Sequence, residues 1–408
     1  MNILLINHYA GSPEYGMEYR PYYLAREWVK MGHNVTIVGA NFSHLRIKQP
    51  KVNEECIDGI RYIWLETPTY QGNGMRRIKN MLSFLWKLYS QEKQINAEHK
   101  PDVVIASSTY PLDIYPAHYI AKKYKAKLVF EVHDIWPLTP MEIGHMSKYH
   151  PFIMVMQMAE NFMCKHVDKL VSILPKAEEH YLEHGLAKGK FVCVPNGIIV
   201  DGKPTDSAQN SLSQLENINA IEKEHDKGNY VLLFAGAHGT ANALDTLLDA
   251  SKLFVDIPVT ICLMGGGQEK NRLQLRVKEE KINNVIFLNP VKKNEVANIL
   301  DKADVLYIGL AKTNLFHFGI SPNKMMDYML ARKPIISAID AGNDMVTEAK
   351  CGISVPAENP AAVVDAIKKL ISLSNEERLV LGKNGLAYVK VNHDYKKLAV
   401  DFIKKLGN

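Results

Sequence analysis

Short apolar runs alternate with segments of helical spacing from the first residues onward. The chain opens with the run Asn2–Ile6, a glycine-bearing loop at residues 11–16 and a helical pattern over Arg20–Lys30. Further apolar runs lie at residues 32–38, 103–106, 128–132 and 170–173. Runs of this length, bounded by turn residues, are typical of strands buried on both faces. Their alternation with helices predicts a parallel sheet covered on both sides.

A second series of the same kind begins after Pro195-Asn-Gly197. Residues 206–227 are polar and indicate a linker that includes a helix, and helical patterns follow at residues 245–254 and Asn323–Leu330. The predicted strands of this series lie at residues 230–234, 259–263, 285–288, 305–308 and 334–337. Two such series predict two Rossmann-like, doubly wound α/β domains. Because ligands bind at the carboxyl ends of such strands, we expect the domains to face each other across a cleft that holds the site.

The length of 408 residues fits two domains of about 150–200 residues each. We assign residues 1–198 to the first domain and 199–387 to the second, and we expect a helix at 388–408 to return to the first. The 47% hydrophobic and 23% charged fractions are typical of globular proteins. No apolar run approaches the length of about 18–20 residues that spans a bilayer.

Charge and cysteine content narrow the function classes further. Five cysteines without a CxxC pair argue against a disulfide framework or a zinc site and fit a reducing cytoplasm. A net charge of +5 suits phosphates or lipid headgroups. The chain has no zinc-finger spacing, RNP-like aromatic motif or long basic run, so we expect no nucleic-acid partner.

The turn Gly236-Ala-His-Gly239 follows a predicted strand and precedes a helix. Glycines at such a turn let backbone N–H groups approach a phosphate, and the helix N-terminus adds a positive dipole. A tight turn that needs positive φ would explain the same residues without a ligand. The turn alone leaves both interpretations open.

A stronger signal is the segment from Gly319 to Asp327. We expect Ser321 to cap a helix that starts at Pro322. Its first turns would present Asn323, Lys324 and Asp327, a cation for a phosphate beside a carboxylate for ribose hydroxyls. The alternative is an ordinary capped surface helix with an ion pair between Lys324 and Asp327, three positions apart on one face.

Polar residues in the first domain follow two predicted strands. His133-Asp134 ends the run at residues 128–132, where doubly wound folds keep functional groups, although a structural strand-end histidine is the alternative. Gly16 closes the loop after the first strand, which departs from GxGxxG and gives no dinucleotide fingerprint.

Residues 75–89 form a basic amphipathic pattern. Apolar residues recur at helical spacing, and Arg76, Arg77, Lys79 and Lys87 flank them, with Leu85 and Trp86 among the apolar positions. This pattern is typical of a helix that lies in a membrane interface. A surface helix that packs its apolar stripe on its own domain is the alternative.

Taken together, these segments resemble family-4 glycosyltransferases, the retaining GT-B enzymes, and within them the subgroup that builds bacterial surface polysaccharides. The motifs that carry the resemblance are residues 32–38, 131–137, 194–198, 234–245, 263–267, 321–334 and 348–356. The resemblance implies that the second domain binds the nucleotide diphosphate and the first the acceptor. It also implies that Asp327 holds the ribose, that His133 approaches the donor sugar and phosphate, and that Gly16 faces the diphosphate.

The chain departs from the family pattern at two places. A family glutamate eight residues before Asp327 is replaced by Gly319; a shifted register would put Phe316 there and Lys324 at the second glutamate. The usual arginine and lysine after the first strand of the nucleotide domain are replaced by residues 236–242. Phosphate charge would then rest on backbone N–H groups and Lys324, so Lys324 joins His133 as a catalytic candidate.

The expected reaction is transfer of a sugar from a UDP-linked donor to a polyprenyl-diphosphate-linked acceptor of O-antigen or capsule synthesis. Retention and front-face attack are implied by the resemblance alone. Without a DxD pair in a loop, we expect no metal and no other cofactor. We expect a cytoplasmic protein, peripheral at the inner face of the plasma membrane. A GT-B-like sugar-nucleotide epimerase and a non-catalytic nucleotide-binding subunit of a polysaccharide assembly complex are the alternatives.

Overall fold

The computed structural model describes residues 1–72, 74–200, 211–254 and 257–407. They form two compact units. Unit 1 contains Met1–Asn196 and Tyr395–Asn408, and unit 2 contains Gly197–Asp394. The predicted linker at residues 206–227 lies partly outside the described residues, and its remainder contains a helix.

Unit 1 is built on an eight-stranded sheet. Its strands are β1 (Asn2–Ile6), β2 (Asn34–Ala40), β3 (Glu54–Ile57), β4 (Ile60–Leu65), β5 (Val103–Ala106), β6 (Lys127–Val132), β7 (Lys169–Ser172) and β8 (Phe191–Cys193). They lie in the order β3-β4-β2-β1-β5-β6-β7-β8, parallel except for the β3–β4 pair. Strand order reverses beside β1, so the carboxyl ends of β1 and β5 flank the crevice where doubly wound folds bind ligands.

Helices cover the sheet of unit 1. They are α1 (Arg20–Lys30), α2 (Met75–Ser90), α3 (Glu92–Ile95), α4 (Ile114–Tyr124), α5 (Leu138–Glu142), α6 (Pro151–His166) and α7 (Glu178–Glu183). Among the described residues, no helix is both long and apolar enough to cross a membrane.

Unit 2 is built on a fully parallel six-stranded sheet in the order β11-β10-β9-β12-β13-β14. The strands are β9 (Tyr230–Ala235), β10 (Val259–Met264), β11 (Val285–Leu288), β12 (Val305–Gly309), β13 (Ile335–Ala338) and β14 (Gly352–Val355). The helices around them are α8 (Leu212–Asp226), α9 (Asp245–Ser251), α10 (Lys270–Glu279), α11 (Val296–Leu300), α12 (Asn323–Leu330), α13 (Met345–Ala349), α14 (Pro360–Ser372) and α15 (Asn375–Asn392). Here the reversal lies between β9 and β12.

The C-terminal segment differs from the single helix expected at residues 388–408. Helix α15 ends at Asn392 in unit 2, and a separate helix, α16 (Tyr395–Gly407), belongs to unit 1. The indole of Trp28 on α1 donates to the Ala399 carbonyl (3.1 Å) and its ring contacts Phe402. Helix α16 is therefore held to unit 1 by a buried aromatic contact. Because α15 belongs to unit 2, the helical structure is interrupted between Asn392 and Tyr395.

Candidate functional site

The first strand of unit 2 ends at a pair of interlocked glycine turns. The amide of Gly236, after β9, donates to the Met264 carbonyl at the end of β10 (3.0 Å), and the amide of His238 donates to the Gly266 carbonyl (2.7 Å). A Cβ on Gly265 would lie 2.0 Å from the Gly236 carbonyl oxygen. Position 265 must therefore be glycine if the turn at Gly236 is to keep its backbone path.

The two predicted glycines of the first turn have different roles. A Cβ on Gly236 would lie 3.2 Å from Lys324 Nζ, so the missing side chain gives the ammonium group room. Gly239 has a φ of −116° and nothing within 4 Å of an added Cβ. A need for positive φ therefore does not explain the glycine at position 239. The space that a Cβ of this residue would enter is open.

Lys324 lies in the first turn of α12, at the switch point between β9 and β12. Its ammonium group donates to Asn242 Oδ1 (2.5 Å) and lies 4.6 Å from the centre of the Phe234 ring. Burial lowers the pKa of Lys324 to about 8. Among the described residues, Lys324 has no carboxylate partner, so its charge is compensated only by an amide oxygen and a ring face. A half-buried cation in this state favours an anion beside it.

Tyr328, a residue of α12, fixes this helix to the sheet. The hydroxyl of this fully buried residue accepts a hydrogen bond from the Ala235 amide at the end of β9 (2.8 Å). The prediction that Ser321 caps the helix is wrong, because Pro322 is the N-cap and the helix begins at Asn323. Ser321 is instead buried. Since proline offers no side-chain acceptor, the first amides of α12 have no cap of the usual kind.

Asp327 lies one turn beyond Lys324, and its carboxylate pairs with Lys293. The predicted alternative of an ion pair between Lys324 and Asp327 is wrong, because each of the two has a different partner. Burial raises the pKa of Asp327 and the Lys293 charge only partly offsets this. Asn323 is exposed at the helix start. A ligand at Asp327 would share the carboxylate with a mostly exposed lysine, which is a weak competitor.

Gly319 ends the loop that precedes α12. Its φ of +95° is a conformation that other residues rarely adopt. The Asn343 side chain holds the next residue, accepting from the Ile320 amide (2.7 Å) and donating to its carbonyl (3.1 Å). A glutamate at position 319 would therefore be strained, which gives a physical reason for its replacement there.

In unit 1, His133 follows β6 and its ring is held by a network of buried polar residues. Ser107, after β5, donates to Glu131 Oε2 (2.6 Å), so its oxygen accepts from His133 Nε2 (2.9 Å). His133 Nδ1 lies 3.9 Å from Glu18 Oε2. Burial lowers the pKa of His133, but the contacts with Glu131 and Glu18 outweigh this and raise it above its ordinary value. The structure thus favours a positive charge on this ring.

The Glu131 carboxylate is the central acceptor of this network. Its carboxylate accepts from Arg20 Nε (3.0 Å), and Arg20 also donates to the carbonyls of Val194 (2.8 Å) and Pro195. Burial would raise the pKa of Glu131, but the charge of Arg20 and the contacts of His133 and Ser107 hold it far below its ordinary range. Sequence reasoning missed Arg20, Ser107 and Glu131. The one available signal was a glutamate inside an otherwise apolar strand, which requires a buried partner.

The two other predicted positions near this network are structural in their described contacts. Asp134 accepts from the Ile135 amide (2.9 Å) and the Thr139 hydroxyl (2.5 Å), which fixes the turn after β6. Gly16 has a φ of +101° and closes its loop by exchanging hydrogen bonds with Ser12 (2.8 and 3.2 Å).

One part of helix α2 is buried against unit 1, and another part is exposed to solvent. Asn80, Met81, Phe84 and Leu88 are buried, whereas Met75, Leu82 and Trp86 are 77%, 55% and 70% exposed. The apolar stripe expected from spacing is therefore divided between two faces. Leu85 is half-buried between them, and Arg76 and Lys79 are exposed.

Two of the four basic residues of α2 are engaged by the domain. Arg77 donates to the Tyr9 hydroxyl (3.0 Å) and lies over its ring, and Lys87 lies 3.6 Å from Glu66 Oε2. The basic face that α2 presents to solvent thus consists of Arg76 and Lys79.

Two doubly wound domains with parallel sheets are the architecture of the GT-B class of α/β proteins. Family models identify the class more closely: residues 15–201 match Glycosyltransferase Family 4, and residues 216–387 match Glycosyl transferases group 1. Together the two matches span most of the chain. The chain is a glycosyltransferase of the family-4, GT-B type.

Solved structures with the same fold have low sequence identity to this chain. Sucrose-phosphate synthase from Thermosynechococcus elongatus is 16% identical with a TM-score of 0.71, covering 99% of this chain and 98% of that one. Anabaena HepE in complex with UDP-glucose is 12% identical with a TM-score of 0.66, covering 100% and 99%. WaaG, a glycosyltransferase of lipopolysaccharide biosynthesis, is 14% identical with a TM-score of 0.65, covering 98% of each chain. At these identities the likeness establishes the fold. No curated protein sequence matches the chain significantly.

Proposed function

We propose that the chain transfers a sugar from a UDP-linked donor, with retention, to a lipid-linked glycan intermediate of bacterial O-antigen or capsule synthesis. The proposal for the sugar donor rests on the ammonium group of Lys324. It is half-buried without a carboxylate partner among the described residues, beside the Gly236 turn and the start of α12, where the N-cap Pro322 makes no side-chain cap. A diphosphate supplies the missing negative charge, and the turn supplies amides to bind it. HepE, of the same fold, has been solved with UDP and with UDP-glucose.

Departure of the nucleotide diphosphate needs positive potential at the oxygen that develops charge. In the proposed mechanism, Lys324, the backbone amides and the dipole of α12 supply it in place of a metal ion. The leaving phosphate accepts the proton of the acceptor hydroxyl as the new bond forms on the same face. Asp327 binds the ribose hydroxyls. Lys293 must then give up part of its contact with the Asp327 carboxylate.

His133 is proposed to act on the donor sugar and its phosphate. Its raised pKa favours an imidazolium, which stabilises the negative charge of the leaving group. Glu131 and Ser107 both contact the Nε2 side of the ring. These contacts fix the ring orientation, so Glu131 is a positioning residue.

The exposed face of α2 supports a membrane-bound acceptor. Met75, Leu82 and Trp86 are exposed beside Arg76 and Lys79, a combination that suits the headgroup region of an anionic bilayer. Helix α6 exposes a further apolar group, Met154, Val155 and Met158. WaaG acts in lipopolysaccharide biosynthesis, which agrees with such an acceptor. We propose that the protein docks at the inner face of the plasma membrane through α2.

Sucrose-phosphate synthase has the same fold, so a soluble acceptor is the alternative to be tested. The deciding experiment is a screen of UDP- and GDP-sugars against a polyprenyl-diphosphate-linked sugar and against soluble sugar phosphates. Transfer to the lipid-linked acceptor supports the proposal, and transfer only to a soluble sugar contradicts its acceptor half. Interconversion of the free sugar nucleotide would indicate an epimerase. Nucleotide binding without turnover of any donor would indicate a non-catalytic subunit.

A further inference from the structure

Unit 1 contains a cluster of one carboxylate and two imidazoles on elements that carry none of the candidate site residues. Glu160 lies on α6, His180 on α7, and His184 directly after α7. One ligand atom from each lies within 4.8 Å of the other two. We propose that these three residues bind a divalent transition-metal ion, with Zn²⁺ as the best match.

The separations between ligand atoms suit a small tetrahedral ion. His180 Nε2 lies 2.8 Å from Glu160 Oε1, and His184 Nε2 lies 3.7 Å from Glu160 Oε2. Zinc–ligand bonds of about 2.0–2.2 Å place neighbouring ligand atoms about 3.3 Å apart in a tetrahedron. The observed distances lie on either side of this value. The two distances involve different oxygens of Glu160, and the three ligand atoms as a set lie within 4.8 Å of one another, so the side chains must draw closer together to bind the ion.

The hydrogen-bond partner of His184 Nδ1 also points to a cation at Nε2. Its Nδ1 lies 2.8 Å from the His180 carbonyl oxygen, and a carbonyl can only accept, so Nδ1 carries a hydrogen. In the neutral ring, Nε2 is then an acceptor, and it lies 3.7 Å from Glu160 Oε2, which is also an acceptor. A proton or a metal ion between them removes the conflict. A backbone hydrogen bond of this kind on the other ring nitrogen is common for histidines that bind metals.

Glu160 is suited to be the anionic ligand. It is 1% exposed, and among the described residues its ion pairs are with these two histidines and with no lysine or arginine. Gln157 donates to Glu160 Oε2 (2.7 Å) and orients the carboxylate. A buried carboxylate without a permanent cation is costly, and a divalent ion offsets that cost.

The site would have an open position. His184 is 25% exposed and His180 10% exposed, so water can reach the point where the three ligand atoms converge. Three protein ligands and one water complete a tetrahedron. The ion would link α6 to α7 and stabilise unit 1. Cysteine spacing gives no signal for such a site, because its ligands are imidazoles and a carboxylate.

The test uses the full-length chain without a histidine tag and metal ions as the probe. Zn²⁺ is titrated by calorimetry and Co²⁺ by visible absorption, since tetrahedral Co²⁺ has intense d–d bands. We expect one ion per wild-type chain at this site and a higher Tm with Zn²⁺. His184→Gln and Glu160→Gln should each lower affinity at least about 100-fold, because loss of an outer-shell partner alone costs about 10–100-fold.

His166→Gln is the matched control. His166 also has its Nδ1 against a backbone carbonyl four residues earlier (2.8 Å), and its described ring contacts are Phe162 and His118. This variant should bind Zn²⁺ as the wild type does. Absence of saturable Zn²⁺ binding to the wild type, or equal affinity of the His184→Gln and His166→Gln variants, would overturn the proposal. His184 is partly exposed, so its variant tests the site even if Glu160→Gln does not fold.

Discussion

Lys324 Nζ donates to Asn242 Oδ1 at 2.5 Å, joining the start of α12 to the turn after β9. The two residues are 82 positions apart, and their contact brings the half-buried ammonium group over the loop that contains Gly236 and Gly239. Asp327, on the same helix, pairs with Lys293 instead. The cation and the carboxylate are therefore separate groups, and they can be tested as contacts to different parts of a nucleotide.

Substitution of Lys324 and of Asp327 should have distinguishable effects on nucleotide binding. Lys324→Met should weaken UDP binding and leave uridine binding unchanged, because it removes a phosphate contact. Asp327→Ala should weaken both, because it removes a ribose contact. Each loss should be about ten- to hundredfold, the value of about 1.5–3 kcal/mol for a charged hydrogen bond. Calorimetry with UDP, GDP and uridine measures this, with Lys278→Met, an exposed lysine of α10, as the control. Unchanged UDP affinity in both folded variants would mean that the nucleotide binds elsewhere.

The affinity for UDP should depend on pH through Lys324. Its pKa is lowered to about 8 by burial, and a bound diphosphate would raise it again. Binding above pH 8 therefore takes up a proton, so affinity should fall as pH rises, by at most about tenfold per pH unit. Titrations from pH 7 to 9.5 should show this fall in the wild type and a flatter profile in Lys324→Met. The same slope in both proteins would assign the titration to another group.

The glycines of the interlocked turns should separate folding from binding. Gly265→Ala should destabilise unit 2 by about 1–3 kcal/mol, because its Cβ would lie 2.0 Å from the Gly236 carbonyl oxygen. Gly239→Ala should leave stability nearly unchanged, since nothing lies within 4 Å of its Cβ. If a phosphate binds over Gly239, the added methyl group should still weaken UDP binding. Urea unfolding and UDP titration of both variants measure the two effects, and undiminished UDP affinity in Gly239→Ala would remove that residue from the site.

His133→Ala should lower kcat more than it alters nucleotide affinity. His133 belongs to unit 1, whereas the proposed nucleotide contacts belong to unit 2. Loss of a group that stabilises charge in the transition state costs about 10²–10³-fold in rate. Steady-state kinetics beside UDP titration measure the difference, with the exposed His99→Ala as control. Equal turnover of His133→Ala and wild type would make His133 a structural strand-end residue.

Docking of α2 to anionic membranes should depend on its exposed face. Arg76→Gln and Lys79→Gln combined with Leu82→Ser and Trp86→Ser should abolish flotation with anionic liposomes. Each basic residue near such a surface contributes about 1 kcal/mol, and this part should weaken with salt. The matched control changes Leu379 and Val380 to serine and Lys383 and Lys390 to glutamine, all exposed on α15. Equal flotation of the two variants, or no flotation of the wild type, would indicate that α2 does not bind membranes.

The sequence by itself determined most of the order of strands and helices, because these elements depend on local spacing. The buried parallel strands are continuous apolar runs, and β5 and β11 have the predicted bounds. Strands β3, β4 and β8 were missed. Strand β3, with the sequence Glu-Glu-Cys-Ile, is a solvent-facing edge strand and has no such run, and the run of β4 is interrupted by Arg61. The second strand begins at Asn34 rather than Gly32, since Gly32 has positive φ in the turn that ends α1.

Only the tertiary structure decided which polar groups meet. Spacing placed Lys324 and Asp327 on one helix face, but the partners of both come from other elements. Ser107 and Glu131 both contact His133 because β5 and β6 are neighbours in the sheet, and Arg20, on α1, joins the network through Glu131. The same holds for α2, where periodicity revealed an apolar stripe but not which half of it the domain covers. Periodicity reports that a residue lies on a face, whereas burial and charge compensation depend on the element packed against that face.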